Sequence, residues 1–221
     1  MAAQNASAPL MRNSVYERIR GEILSCALKP GSTLQERDLA ERYAVSKSPI
    51  RDALLRLEAQ NLIEVMPRKG YRVRPISIAD ARELYEMRLM LERACVTRLV
   101  ETAGDTQLGA LASFRDGPDE GDLPGWISYN RDFHLAIAEG CGNARLANAT
   151  REVLEQFDRL TLISVTANEN GGLARYVEEH SAIIDAVQRR DKRAAASLVK
   201  DHVESSRKRL LERIASLPIV P

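Results

Sequence analysis

Residues 34–62 constrain the fold of this chain more than any other stretch, because they place two short amphipathic segments around a tight turn. In the first segment Leu39, Ala40 and Tyr43 form an apolar stripe, and in the second the apolar positions also recur at helical spacing. Ser46, which follows the turn, is a favoured N-cap residue for the second segment. The spacing therefore predicts a helix-turn-helix.

The second helix presents polar and basic side chains in its first turn, where a recognition helix meets base edges in the major groove. These side chains are Lys47, Ser48 and Arg51, and Arg51 is expected to read guanine. Two short strands are predicted next, at 62–65 and 71–73, joined by a basic hairpin tip suited to the phosphate backbone. The tip consists of Pro67, Arg68, Lys69 and Gly70. This pattern predicts a winged helix-turn-helix.

The charge of the chain is divided unevenly between its two parts. Residues 1–76 carry 13 Lys and Arg against 8 Asp and Glu, whereas residues 77–221 carry 19 against 23. A basic head on an acidic body is typical of a DNA-binding module attached to a domain that does not bind DNA. The alternative, that the basic residues of the head are ordinary solvated charges, does not account for this division.

The remainder of the chain is predicted to be helical, with polar or glycine-rich breaks between the segments. Residues 77–80 have the pattern of a capping box and are expected to begin a long helix that ends near Thr102. The predicted fold class is mainly α. We expect a disordered arm at 1–9, the winged helix-turn-helix at 10–75, and an all-helical antiparallel bundle at 76–216.

Cysteine usage and hydropathy place the protein in the cytoplasm. Its three cysteines are few and widely spaced, which favours reduced thiols over a disulfide framework. No apolar run approaches the ~20 residues of a membrane span, and the first residues lack the apolar core of a signal peptide. We therefore expect no membrane partner.

The chain has only three histidines, and each interrupts the apolar stripe of a different predicted helix. His134 lies one turn after Asn130, so both are expected to point inward. His180 and His202 each lie eleven residues from a predicted hairpin turn at Asp191. Because each residue advances a helix by the same rise, the two rings are expected at the same distance from the turn along their helices. The three imidazoles are therefore expected to meet in the core.

Three imidazoles and one oxygen donor form a plausible site for a divalent metal ion such as Zn or Ni. The predicted ligands are His134, His180 and His202, with Asn130 as the oxygen donor. A single inward histidine is more often a hydrogen-bonded core residue, but three that converge favour a shared site.

Arg88 falls on the same helical stripe as Leu84, Met87 and Cys95, so it is expected to face inward and to need an anion. Glu92, one turn further on, offers that anion as an ordinary intrahelical pair. The alternative is an external carboxylate, which a guanidinium binds through two parallel hydrogen bonds.

The first part of the chain resembles the GntR-type bacterial transcription regulators, whose DNA-binding domain follows a pattern like PGxxLxExxLAxxxxVSxxPxRxALxxLxxxGL. The matching residues are Pro30-Gly31, Leu34, Glu36, Leu39-Ala40, Val45-Ser46, Pro49, Arg51, Ala53-Leu54, Leu57 and Asn61-Leu62. Asn61 stands where the family usually has glycine, and asparagine also tolerates the left-handed backbone expected there. The resemblance implies DNA contacts for Arg37, Lys47, Ser48, Arg51, Lys69 and Gly70.

Residues of about 79–214 resemble the helical effector domain called FCD, found in one branch of the same family. The similar segments are Asn130 to His134, Glu179 to Ile184, His202, and Tyr85 to Glu92. This resemblance implies a metal ion on the three histidines and a ligand pocket that includes Arg88 and Asn130. Relatives that bind metal often carry Asp in place of Asn130, so an anionic effector is a candidate for the missing oxygen.

The expected function is that of a ligand-responsive transcription regulator, in the form of a repressor. We expect a homodimer that binds double-stranded DNA at a palindromic operator, and a small organic acid as its effector. One alternative is a metal-dependent hydrolase, with Glu179 as its general base. Another is a constitutive DNA binder whose histidines are structural.

Overall fold

The protein divides into two compact units, Met1–Ile76 and Ser77–Pro221. The computed structural model describes residues 7–75, 77–119, 122–165 and 172–216. Helices account for most of these residues, which confirms the predicted mainly α fold class.

Unit 1 combines helices with a small antiparallel sheet. Its described helices are α1 (Ser7–Leu24), α2 (Glu36–Arg42) and α3 (Lys47–Ala59), and its strands are β1 (Thr33–Leu34), β2 (Ile63–Met66) and β3 (Gly70–Val73). The strands follow the order β1-β3-β2, and both pairings are antiparallel. The helix-turn-helix and the two-stranded wing lie where the sequence predicts them. The two-residue strand β1 was not expected.

Helix α1 corrects the expectation of a disordered arm at 1–9, because the helix begins at Ser7. Residues 1–6 lie outside the described residues. Val15, Tyr16, Ile19 and Ile23 of α1 are buried in one core with α2, α3 and the sheet. Their spacing, with apolar residues at positions i, i+1, i+4 and i+8, is the sequence signal of this helix.

Unit 2 is helical throughout its described residues. Its helices are α4 (Ile78–Thr102), α5 (Asp105–Ala110), α6 (Leu123–Gly140), α7 (Ala144–Val165), α8 (Gly172–Gln188) and α9 (Lys192–Ser216), with a 3-10 turn at Leu111–Phe114. The side chain of Ser77 accepts a hydrogen bond from the amide of Asp80 at 2.9 Å, so the predicted start of α4 is confirmed.

Helices α8 and α9 form the predicted hairpin. Its turn spans residues 189–191, where Arg190 adopts a left-handed backbone with φ of 55°. His180 precedes this turn and His202 follows it at matching distances along the two helices. The antiparallel pairing therefore brings the two rings side by side, with centroids 4.9 Å apart.

Candidate metal centre and nucleic-acid interface

Three buried histidines from three helices of unit 2 face one another. His134 lies on α6, His180 on α8 and His202 on α9, and all are at most 3 % exposed. One ring nitrogen of each lies within 4.8 Å of the others. The convergence that helix spacing predicts for these residues is present in the structure.

Two of the histidines are oriented by carboxylates that contact their Nδ1 atoms. His134 Nδ1 lies 2.7 Å from Oε2 of Glu92, and His202 Nδ1 lies 2.7 Å from Oε2 of Glu179. An ionised carboxylate is only an acceptor, so this contact favours the proton on Nδ1 and leaves a lone pair on Nε2. The two Nε2 atoms are 3.2 Å apart.

The third histidine has a similar arrangement. His180 Nδ1 lies 3.2 Å from the hydroxyl of Tyr129, and its ring stacks on Phe133 at a centroid distance of 3.9 Å. Among the described residues, its buried Nε2 has no hydrogen-bond partner. The unpartnered Nε2 of His180 and the lone pair of His202 that faces His134 are unfavourable in a buried site, but both suit a shared cation. The donor set therefore fits a divalent transition metal.

Burial also keeps these imidazoles in the form that binds metals. It lowers the pKa of His134 to about 4, although the nearby Glu92 acts in the opposite direction. Burial is likewise the main cause of the lowered pKa values of His180 and His202. All three rings are therefore neutral near pH 7, and neutral imidazole is the metal ligand.

Arg88 of α4 adds a buried cation beside this cluster. Its Nε donates to Oε1 of Glu92 at 2.5 Å, and its Nη2 donates to Nε2 of His134 at 2.7 Å. The intrahelical pair considered for Arg88 is thus formed, and a metal ion on His134 would take the place of the hydrogen bond from Arg88. Burial alone would raise the pKa of Glu92, but Arg88 and His134 outweigh it and hold that pKa below its ordinary range.

The buried stripe of α4 differs from the predicted one. Met87, expected to face inward with Arg88, is 47 % exposed, and Leu84 is half-buried. Glu92 is 2 % exposed instead, because its carboxylate joins Arg88 to His134. A charged pair thus occupies positions that an apolar stripe would assign to hydrophobic side chains.

Glu179 holds His202 from the other side of the cluster. Its carboxylate accepts hydrogen bonds from Nη1 and Nη2 of Arg209 at 3.0 and 3.2 Å, in addition to its contact with His202. Burial would raise the pKa of Glu179, but these hydrogen bonds lower it to about 2. A carboxylate with so low a pKa is a weak general base. Sequence analysis missed Arg209, although it lies two helical turns after His202.

Asn130 lies on α6, one turn before His134, and is half-buried. It therefore shares the face of the helix that carries the histidine, while its coordination of a metal stays a prediction. The side chain of Asp132 is 53 % exposed and pairs with Arg131 at 3.3 Å. Asp132 therefore points away from the cluster.

In unit 1 the first turn of α3 exposes the residues expected to meet DNA. Lys47, Ser48 and Arg51 are all exposed, and Ser46 precedes them at the N-cap position without a side-chain capping bond. Arg51 donates from Nε and Nη2 to the carboxylate of Glu36 on α2, at 3.0 and 2.9 Å. This ion pair was not foreseen.

The wing presents the remaining residues expected to contact DNA. Arg68 and Lys69 are exposed at its tip, and Arg37 is exposed on α2. Gly70 has a φ of +90°, and a Cβ atom there would lie 2.5 Å from the carbonyl oxygen of Leu34. Gly70 is thus required by the close approach of two backbones, whereas its contact with DNA stays a prediction.

Within the described residues, none of the helices combines the length and apolar character needed to cross a membrane.

Two family descriptions match most of the chain. Residues 11–73 match "Bacterial regulatory proteins, gntR family", and residues 83–205 match "FCD domain". An uncharacterised HTH-type transcriptional regulator, BphR of Paraburkholderia xenovorans, is 32 % identical over 207 residues, which cover 87 % of this chain and 82 % of BphR. The HTH-type transcriptional repressor GlaR of Escherichia coli is 26 % identical over 203 residues, covering 85 % and 90 % of the two chains.

A solved structure has the same fold. McbR/YncC of Escherichia coli superposes with a TM-score of 0.80 at 23 % identity, covering 92 % of this chain and 98 % of that one.

Proposed function

Because this chain is a transcriptional regulator of the gntR family that carries an FCD domain, we propose that its helical unit binds a divalent metal ion and a small carboxylate effector. Binding there modulates the affinity of the winged helix for its operator. The observation that carries the proposal is the meeting of three buried, neutral imidazoles whose Nδ1 atoms are engaged by neighbouring side chains.

The proposed ligands are His134, His180 and His202, with the amide oxygen of Asn130 as a fourth donor. Three nitrogens and one oxygen suit Zn or Ni, and the ion would supply a coordination position for an anionic oxygen. Glu92 and Glu179 support this assignment, because carboxylates that fix the tautomer of a histidine are common behind metal ligands.

The proposed effector is a small organic acid that also contacts Arg88. The guanidinium of Arg88 reaches the histidine cluster through Nη2, and only one carboxylate of the described residues, that of Glu92, forms an ion pair with it. A carboxylate bound near the histidines would therefore meet a buried cation, where a charge-assisted hydrogen bond is stronger than in water.

On the DNA side, we propose that the protein binds a palindromic operator as a homodimer and acts as a repressor. Its similarity to the repressor GlaR supports the sign of regulation. Arg51 and Lys47 would read bases, with Ser48 and Arg37 beside them, while Arg68, Lys69 and Gly70 of the wing would follow the phosphate backbone.

Metal content tests this proposal first. Tag-free protein purified without chelator is analysed by elemental mass spectrometry beside His202→Ala and a control, Lys200→Ala, which changes an exposed residue of the same helix. We expect about one equivalent in the wild type and the control, and a loss in His202→Ala. Operator affinity is then measured with a panel of carboxylates. Wild-type protein that takes up neither added Zn nor Ni would overturn the metal assignment.

The constitutive alternative gives a different outcome. A protein with structural histidines would bind its operator equally well before and after His134→Ala, and no carboxylate would change that affinity. The hydrolase alternative loses its main support, because the chain belongs to a family of regulators and Glu179 is engaged by Arg209 and His202.

A further inference from the structure

The ion pair between Arg51 and Glu36 joins the recognition helix α3 to the first residue of α2. Its two hydrogen bonds, of 3.0 and 2.9 Å, run from Nε and Nη2 of Arg51 to the two carboxylate oxygens of Glu36. The arginine side chain is 61 % exposed and the glutamate 23 %. We propose that Glu36 is a positioning residue for sequence readout, holding Arg51 in the orientation in which it reads a base pair.

The geometry of the guanidinium leaves room for both partners. Arginine has two edges that can form paired hydrogen bonds, one with Nε and Nη2 and the other with Nη1 and Nη2. Glu36 occupies the first edge. The second edge, of Nη1 and the outer N–H of Nη2, keeps the fork that matches O6 and N7 of guanine. The carboxylate therefore supports base reading rather than blocking it.

Holding the arginine matters because a free arginine has many rotamers. Its side chain carries about 2 kcal/mol of rotamer entropy, and an interaction that fixes it before binding reduces the entropy lost on the DNA. As an exposed ion pair it contributes little to folding stability. Its main effect is thus expected on recognition.

The charge of Glu36 also argues for a role in recognition. An acidic side chain at a DNA-binding surface repels phosphates and lowers the affinity for every sequence. Arg51 lowers the pKa of Glu36, which keeps this carboxylate charged. Asp38 provides a comparison, because it lies two residues further along α2 and is also exposed. Removing either charge should raise non-specific affinity, but only Glu36 should affect sequence preference.

The test is a selection of bound duplexes from a randomised DNA library with the full-length protein. Wild type, Glu36→Gln, Asp38→Asn and Arg51→Ala are compared by their base frequencies at each position, and circular dichroism checks that each variant is folded. We expect Arg51→Ala to lose the preference at one base pair of each half-site. Glu36→Gln should weaken the preference at that same base pair by roughly three- to tenfold, a fraction of a full bidentate contact. Asp38→Asn should keep it.

The outcomes separate this inference from the proposed function on which it rests. If the wild type selects no sequence, or if Arg51→Ala keeps the full preference, the proposed base reading by Arg51 fails. If Arg51→Ala loses the preference while Glu36→Gln keeps it unchanged, the positioning role of Glu36 is overturned. Equal weakening by Glu36→Gln and Asp38→Asn would overturn it as well, because the effect would then be one of charge alone.

Discussion

The amide of Asn130 determines how much positive charge a metal centre in this protein would carry. The two carboxylates next to the histidines are already paired, Glu92 with Arg88 and Glu179 with Arg209. A divalent ion on three imidazoles and an amide would thus keep its full charge in a buried site, which is unfavourable. An anionic effector would offset that charge, so we expect ion and effector to bind with positive coupling.

The substitution Asn130→Asp tests this charge balance. A carboxylate at that position should raise the affinity for Zn in the absence of any effector by roughly tenfold, the scale on which even outer partners of metal ligands act. The same change should weaken the response to carboxylates. The affinity is measured by competition with a chromogenic chelator. Asp132→Asn, at an exposed position of the same helix, serves as the control. Equal Zn affinities in wild type and Asn130→Asp would rule out coordination by residue 130.

Glu179 supports a second prediction at this scale. Replacing it with Gln removes the charge that favours the Nδ1 proton of His202, so Zn affinity should fall by roughly 10- to 100-fold. The neighbouring Glu178 is exposed, and Glu178→Gln provides a matched control. Both variants are titrated with Zn by calorimetry. A Glu179→Gln protein that binds Zn as tightly as its control would mean that this carboxylate does not tune the site.

At the scale of elements, the conformation of the wing depends on the absence of a side chain at Gly70. Gly70→Ala places a Cβ 2.5 Å from the carbonyl of Leu34 and requires a φ near +90°. We expect it to lower the free energy of unfolding by about 1–3 kcal/mol and to weaken DNA binding. Gly21→Ala is the control, because Gly21 lies in α1 with open space around it and should gain up to about 1 kcal/mol. Denaturant unfolding checks both, and equal stability of the two variants would contradict the prediction.

The elements also show what a sequence can predict here. The start of α4 was predictable because a serine cap and an acidic first turn are local signals, and the α8–α9 hairpin because a polar break separates two segments of helical periodicity. The convergence of His134, His180 and His202 followed from helical periodicity. The contact of Arg88 with His134 and the pair of Arg51 with Glu36 were not predicted, since they depend on how separate helices pack.

Across the helical unit, the buried histidines should make the stability of metal-free protein depend on pH. The pKa of His134 falls from 6.5 to about 4 through burial, and those of His180 and His202 are also lowered. Between these values and 6.5 the unfolded chain binds more protons than the folded one. The free energy of unfolding should therefore be highest above pH 6.5 and should decline as the pH falls towards 4. Since a shift of one pKa unit corresponds to about 1.4 kcal/mol, the total decline should amount to a few kcal/mol.

Chelator-treated protein unfolded in denaturant at a series of pH values between 7.5 and 4.5 checks this dependence. His180→Gln should show a shallower slope, because one titrating group is gone. The carboxylates Glu92 and Glu179 add to the decline only near its lower end, because their pKa values are lowered in the folded protein from an unfolded value of 4.5. A flat profile in the wild type would mean that the histidines are not held neutral by burial.

The histidine cluster joins α4, α6, α8 and α9, four helices that together extend from residue 78 to residue 216, through Arg88, His134, His180 and His202. A ligand that binds only this folded arrangement lowers the population of protein in which these helices have separated. The population falls further as the ligand concentration rises. Proteases cleave opened chains, so the lifetime of a protein follows the population of its open form. A compound that binds the cluster, as proposed for the effector, would thus also set how many copies of the protein survive from one cell division to the next.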